Sequence, residues 1–161
     1  MDLDPFVFTA FTEHDLLSGG ATNLFVGSTL VIPTAPSVTV NVLDDDPILS
    51  GDNVQSEYSE DETGQEATAV GSDGQEIGNG GPIYGECFYW VSDSEGNQYM
   101  LVEIEQEGSS LEVFAFHSDY GTPSAGATLT VDRKVNVKDN TVVLEYDKLN
   151  AGFADPDPDP E

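Results

Sequence analysis

Basic residues are scarce in this sequence. The 161 residues include 4 Lys and Arg against 31 Asp and Glu, which gives a formal net charge of −27 at pH 7. Nucleic acids and anionic membrane surfaces are bound through clustered Lys and Arg, so this balance excludes both as partners. Near the ionic strength of seawater the Debye length falls to about 4 Å and most of the self-repulsion is screened. We therefore expect a saline environment.

Cysteine and histidine are almost as rare. One Cys and two His exclude most zinc sites and most hydrolase triads. The chain also lacks a Gly-x-Ser-x-Gly elbow, a phosphate-binding loop and a dinucleotide fingerprint. Cys87 can form no intrachain disulfide, and we expect it to be a buried residue on a strand. These absences predict a protein that is not an enzyme.

Long apolar runs are missing as well. No stretch approaches the length of a membrane span, so membrane insertion is not expected. The first residues have neither a positive n-region nor an apolar h-region, and we expect any export to use a route that is independent of a cleavable signal peptide.

The pattern that is present is that of short strands separated by Gly and Pro turns. About ten such strands predict an all-β fold, an antiparallel β-sandwich or barrel of jelly-roll-like type. Phe6 to Phe11 has the apolar content of a strand buried on both faces. Thr12 predicts a helix N-cap. Ile83–Ser92, Gln98–Gln106 and Leu111–His117 predict a meander at the centre of the core, with Trp90 buried in it.

A single β domain is predicted over residues 1–153. Residues 154–161 alternate Asp and Pro, which forbids helix and sheet ladders and predicts a disordered acidic tail or a linker stump.

The acidic stretch that follows the strand beginning at Val38 is a candidate metal site. Ca²⁺ takes six to eight oxygens from carboxylates and carbonyls in flexible geometry. The spacing is not that of an EF-hand, so we expect affinity near the millimolar range. The alternative is a solvated acidic loop that only concentrates counterions. The predicted ligands are Asp44, Asp45, Asp46, Asp52, Asn53 and Glu57.

A second acidic motif runs from Glu103 to Glu107. Its alternation resembles the Glu-x-Asp-x-Glu strand of jelly-roll β-glucanases, although Glu105 stands where that family has Asp. Carboxylates two residues apart on a strand lie about 6.8 Å from each other, a distance that glycoside hydrolysis can use. A jelly-roll glycoside hydrolase is therefore a distant alternative, since acidic residues alternating along an exposed strand face are common.

Four segments together carry a family resemblance: LDDDPILSGDNVQSEYSEDETGQEAT from Leu43, GPIYGE from Gly81, SDSEGNQYMLVEIEQEG from Ser92 and PSAGATLTV from Pro123. In this order they resemble the β-rich domain at the N-terminus of Hint-domain (hedgehog/intein-like) secreted proteins of marine alphaproteobacteria. The Cys-Phe-x-x-Gly-Thr segment that begins the self-processing module in that family is not found here, so its autocatalysis is not carried over. The resemblance implies an exported, calcium-associated β-module with no catalytic residues.

Two function classes follow from these observations. The first is a non-enzymatic extracellular or surface module with a structural or interaction role and weak calcium binding. The second is a structural decoration protein, from the capsid or tail of a marine bacteriophage or gene-transfer particle, which would be located in the virion. Both predict a protein partner or self-assembly, on a cell surface or a particle lattice.

Overall fold

The computed structural model describes residues 4–17, 24–44, 48–49, 65–71, 74–78, 80–81, 83–106, 109, 111–136 and 144–150. These form short strands, one helical turn and two 3-10 turns, at Ser118–Tyr120 and Tyr146–Lys148. Within this part of the chain no helix has the length and apolar character needed to cross a bilayer. The elements in chain order are β1 (Asp4–Ala10), α1 (Glu13–Leu16), β2 (Thr29–Val31), β3 (Val38–Asp44), β4 (Ile48–Leu49), β5 (Glu66–Gly71), β6 (Glu76–Ile77), β7 (Ile83–Ser92), β8 (Gln98–Gln106), β9 (Glu112–Phe116), β10 (Thr128–Asn136) and β11 (Leu144–Glu145).

The strands assemble into two main antiparallel sheets. A four-stranded sheet has the order β1-β3-β5-β6, and a five-stranded sheet has the order β2-β10-β7-β8-β9. A small third sheet pairs β11 with β4. One of the main sheets curls into a half-barrel, and the all-β antiparallel fold predicted from the sequence is confirmed. The predicted tail at residues 154–161 lies outside the described residues.

The predicted meander is also present. β7 pairs with β8, and β8 pairs with β9, through antiparallel registers. Phe88 and Phe114 are buried in it, but Trp90 is only partly buried. Its ring meets Phe88 and Tyr120 edge to face, with centroids 5.9 and 5.3 Å away. Trp90 was predicted to lie in the interior of the core, but it lies at the rim. The turn that carries Tyr120 covers its ring from one side only.

Two hydrophobic clusters lie on opposite faces of the five-stranded sheet. The first fills the space between the main sheets, and includes Phe8, Val40 and Val102. The second lies on the far face, where α1 and the segment that leads from Leu24 into β2 cover the sheet. Both faces of the five-stranded sheet are thus buried, which explains why β8 reads as a nearly continuous apolar run.

The four-stranded sheet is covered on one face only. Phe8 and Ala10 of β1 point into the core, whereas Val7 on the other face is 58% exposed. The expectation that this strand is buried on both faces was wrong. The covering segments pack on the five-stranded sheet and leave the outer face of β1 uncovered. The apolar residues of β1 therefore do not indicate a second buried face.

The free edge of β9 is closed by residues from distant parts of the chain. Phe11 exchanges two backbone hydrogen bonds with Phe114, of 2.7 and 2.8 Å. Asn150 donates its backbone N–H to the carbonyl of Phe116 and accepts the Phe116 N–H at its side-chain Oδ1. Asn150 adopts the left-handed conformation, with φ at 54°, which asparagine tolerates better than most residues. The edge strand is therefore capped at Phe114 and Phe116.

Candidate functional site

The predicted calcium ligands are only partly described. Asp44 ends β3, and the other five positions, Asp45, Asp46, Asp52, Asn53 and Glu57, lie outside the described residues. The calcium site thus stays a prediction, and Asp44 is the one member whose surroundings are known.

Asp44 lies in a buried network of hydrogen bonds. Its side chain is 2% exposed. Its Oδ2 accepts the Tyr146 hydroxyl at 2.5 Å and the Gln65 Nε2 at 3.4 Å. Gln65 Nε2 also donates to the Tyr146 oxygen at 2.7 Å, and Gln65 Oε1 accepts the Ile83 N–H at 2.7 Å. This carboxylate joins β3 to the turn that follows β11, and its Oδ2 is already occupied by protein donors.

A second group of carboxyls gathers on β8 and β9. Glu103 and Glu105 are two residues apart on β8 and share a strand face. Glu105 is the register partner of Glu112 on β9. One carboxylate oxygen from each of the three lies within 4.8 Å of the others. We call Glu103, Glu105 and Glu112 the carboxyl cluster.

Glu103 is the innermost member of the carboxyl cluster. It is 8% exposed. Its Oε1 accepts the Tyr89 hydroxyl at 3.1 Å, and the Cys87 Sγ lies 3.7 Å from the same oxygen. Burial, and then the shared hydrogen bond with Glu105 and the nearby carboxylate charges, raise the pKa of Glu103 to about 8. Near neutral pH this side chain therefore holds a proton.

Glu112 is the member that faces α1. Burial, followed by the charges of Glu13 and Glu105 and hydrogen bonds to the same two residues, raises the pKa of Glu112 to about 7. Glu13 belongs to α1, which begins after the predicted N-cap Thr12. Its Oε2 also accepts the Leu24 N–H at 2.9 Å. The hydrogen bond between Glu13 and Glu112 thus joins α1 to the sheet.

The carboxyl cluster can share protons, and in its ionised form it offers three oxygens to a cation. Three is half or less of the coordination number of Ca²⁺. The carboxyl oxygens lie within 4.8 Å of one another, and Glu103 and Glu105 share a hydrogen bond, so they are closer than the roughly 5 Å of retaining glycosidases. Glu103 is also nearly inaccessible at 8% exposure, which leaves little room for a sugar ring. Glu107, the last acid of the glucanase-like motif, lies outside the described residues.

Part of this cluster was visible in the sequence. The alternation of Glu103 and Glu105 was noted, but Glu112 and Glu13 were not connected with it. Pairing Gln98–Gln106 with Leu111–His117 across the turn at Gly108 places Glu112 opposite Glu105, so the hairpin register could have found it. The contribution of α1 depends on tertiary packing, for which the sequence carries no local signal.

Comparison of the chain with protein-family models, with curated proteins and with solved structures finds no match.

Proposed function

We propose that this chain is a non-enzymatic β-module of the extracellular or cell-surface kind, which binds another protein and takes up calcium weakly. The Hint-associated resemblance favours this class. The observation that carries the proposal is an exposed apolar turn formed by Phe25 and Val26.

This turn is firmly built. Ser28 N–H donates to the Phe25 carbonyl, and the Ser28 Oγ accepts the Phe25 N–H, both at 2.9 Å. Gly27 takes a φ of 97°, which glycine adopts without strain, and its N–H donates to the Val131 carbonyl on β10 at 2.8 Å. The turn therefore has a defined conformation against the five-stranded sheet.

Its side chains nevertheless point into solvent. Phe25 is 58% exposed and Val26 is 56% exposed. Tight turns ordinarily carry Gly, Asn, Asp or Pro at such positions. Two large apolar groups held rigidly outside the core add little to folding, but they lose little conformational entropy when a partner covers them. This arrangement is typical of a protein-binding contact.

The test is a photo-crosslink from the turn in cells that produce the protein. A benzoylphenylalanine replaces Phe25, and a matched control places it at Ser94, which is exposed in the β7–β8 connection. We expect one dominant adduct from position 25 and none of the same mass from position 94. Equal labelling from both positions, or none from position 25, would refute the binding role of the turn.

The same experiment addresses the particle-subunit alternative. An adduct of twice the 17.2 kDa chain mass would indicate self-assembly, and a decoration subunit should also sediment as a trimer. A heterologous adduct together with a monomeric sedimentation coefficient favours the surface module.

Calcium uptake is tested by melting curves in CaCl₂ and in NaCl at matched ionic strength. For a dissociation constant near 1 mM, about 10 mM calcium should stabilise the folded chain by about 1.4 kcal/mol. Asp46→Asn and Asp52→Asn are suitable controls, whereas Asp44→Asn would also disturb the Tyr146 network. Equal stabilisation by both salts would mean that the salts act only by screening the charge repulsion, and it would reject a specific calcium site.

A further inference from the structure

The outer face of the four-stranded sheet carries an apolar groove of about 240 Å³. Two neighbouring registers line it: Pro5, Leu43 and Glu66 in one, and Val7, Asn41 and Thr68 in the other. Val7 is 58% exposed and Leu43 is 39% exposed. The covering segments of this chain pack on the other sheet, so nothing among the described residues occupies this groove.

The outer face of the four-stranded sheet is acidic. Among its described strand residues it carries Glu66 and Glu76 and no Lys or Arg. Glu66 lines the groove, and Glu76 pairs with Val70 on the same face. The described basic residues lie elsewhere: Arg133 and Lys134 are on β10, and Lys148 is paired with Asp119 at 3.3 Å.

These charges argue against a second copy as the occupant. In a two-fold dimer the same patch meets itself, so Glu66 and Glu76 would face an equally acidic surface that offers no Lys or Arg. Two chains with a net charge of −27 each also repel one another at long range. An apolar segment that carries Lys or Arg avoids both repulsions. Its cations complement the carboxylates, and its apolar groups cover Val7 and Leu43.

We infer that the outer face of the four-stranded sheet is a docking surface for a cationic, apolar segment of a partner protein. The inference rests on the proposed binding function and adds the surface and the chemistry of the partner. The turn at Phe25 is a separate contact on the five-stranded sheet, so each surface can be altered without the other.

The test uses a synthetic probe, the acetylated and amidated hexapeptide Lys-Val-Lys-Val-Lys-Val. Two peptides serve as controls: Lys-Ser-Lys-Ser-Lys-Ser keeps the charge, and Glu-Val-Glu-Val-Glu-Val keeps the apolar groups. Binding is measured by amide chemical shifts of the ¹⁵N-labelled full chain in 0.15 M salt. We expect only the first peptide to shift Val7, Leu43 and Thr68, with at least fivefold tighter binding than either control.

The matched variants are Val7→Thr/Leu43→Thr, which keeps strand-forming side chains at both positions, and Phe25→Ser/Val26→Thr on the other surface. The first should weaken the Lys-Val peptide at least fivefold, and the second should leave its affinity unchanged. Far-UV circular dichroism and the unshifted amides verify that both variants fold.

Several results would overturn the inference. Equal binding of the Lys-Val and Lys-Ser peptides would show non-specific charge attraction only. Shifts located elsewhere, or unchanged affinity in Val7→Thr/Leu43→Thr, would reject the groove. A dimer that disappears in the same variant would assign the face to a second copy. If the Phe25 crosslink persists while the peptide fails, the binding function stands and this docking surface does not.

Discussion

Two buried carboxyl groups in this protein are accommodated in different ways. Asp44 lies in the space between the sheets and accepts hydrogen bonds from Tyr146 and Gln65. Glu103 lies on the far face of the five-stranded sheet, where it meets one phenol donor and two more carboxyls. The first site supplies neutral donors to the acid, whereas the second surrounds an acid with other acids.

The difference shows what a strongly acidic chain can do with burial. A carboxylate can leave water when donors replace its hydration, and the bonds then fix the elements that supply them. Where the neighbours are carboxyls, a retained proton removes one charge and supplies the missing donor. Asp44 thus links β3 to the turn that follows β11 through neutral donors. The carboxyl cluster links β8 to β9, and the strength of that link depends on pH.

The largest expected effect concerns Cys87, which lies beside Glu103. Burial, followed by the Glu103 charge, raises the pKa of the Cys87 thiol to about 12. Since the thiolate is the reactive form, alkylation by iodoacetamide at pH 8 should be about a thousandfold slower in the native chain than in the same chain unfolded in guanidinium. A native rate within tenfold of the unfolded rate would contradict the burial of this face.

The next effect compares the two phenols. Tyr146→Phe keeps the ring that stacks on Phe6 at 5.0 Å but leaves Asp44 without its shortest donor, and should cost about 2 to 3 kcal/mol of unfolding free energy. Tyr89→Phe removes the donor to Glu103, which also hydrogen-bonds with Glu105, and should cost about 1 kcal/mol. Both are measured by urea unfolding at pH 6. Equal losses of unfolding free energy in the two variants would show that Asp44 and Glu103 do not differ in how much they depend on their phenol donors.

The next prediction concerns the pH dependence of stability at Glu103. The pKa of Glu103 in the folded chain is raised to about 8, so between its ordinary value and pH 8 the native state binds more protons than the unfolded state. Its contribution to stability is complete at low pH and is lost as pH rises through 8. Glu103→Gln, which has no proton to lose, should therefore be more favourable to stability at pH 8.5 than at pH 5.

The measurement is urea unfolding in 0.5 M NaCl at the two pH values. Glu76→Gln, on exposed β6, is the matched control and should change stability by nearly the same amount at both. A Glu103→Gln effect that is independent of pH would mean that Glu103 is ionised throughout.

The smallest effect is expected at Lys134. Its Nζ lies 5.9 Å from the centre of the Tyr89 ring, on the exposed side of the same region. Exposed cation contacts contribute little, so Lys134→Ala should lower the unfolding free energy by less than about 0.5 kcal/mol. A loss above 1 kcal/mol, measured as before, would show that this cation compensates the carboxyl cluster.

Local pattern was enough to predict the strands and most of the core. The alternation in β3 and the apolar runs in β7 and β8 predicted their structure, and Thr12 predicted the start of α1. The prediction that β1 is buried on both faces was wrong. Apolar content alone does not reveal which of the two sheets is covered by α1 and the segment after Leu24. Trp90 was placed too deep, because its cover depends on the turn that carries Tyr120, which packs on one side of the ring only.

The candidate site was less predictable. Asp44 was predicted to be a calcium ligand together with the acids that follow it, since their proximity in sequence suggested a common environment. Its actual partners, Gln65 and Tyr146, are 21 and 102 residues away. The carboxyl cluster likewise joins β8 to β9, and Glu13 of α1 is hydrogen-bonded to it through Glu112. Contacts of this range follow from the packing of the sheets, for which a single sequence contains no direct signal.

The capped edge of β9 also has a consequence for synthesis on the ribosome. One cap, at Phe11, is synthesised before β9, but the other, Asn150, is synthesised after it. Until Asn150 leaves the exit tunnel, the Phe116 N–H and carbonyl remain open to strands of neighbouring nascent chains. The edge of β9 can therefore be closed only after Asn150 has been synthesised, and a chain truncated before residue 150 should aggregate through this edge.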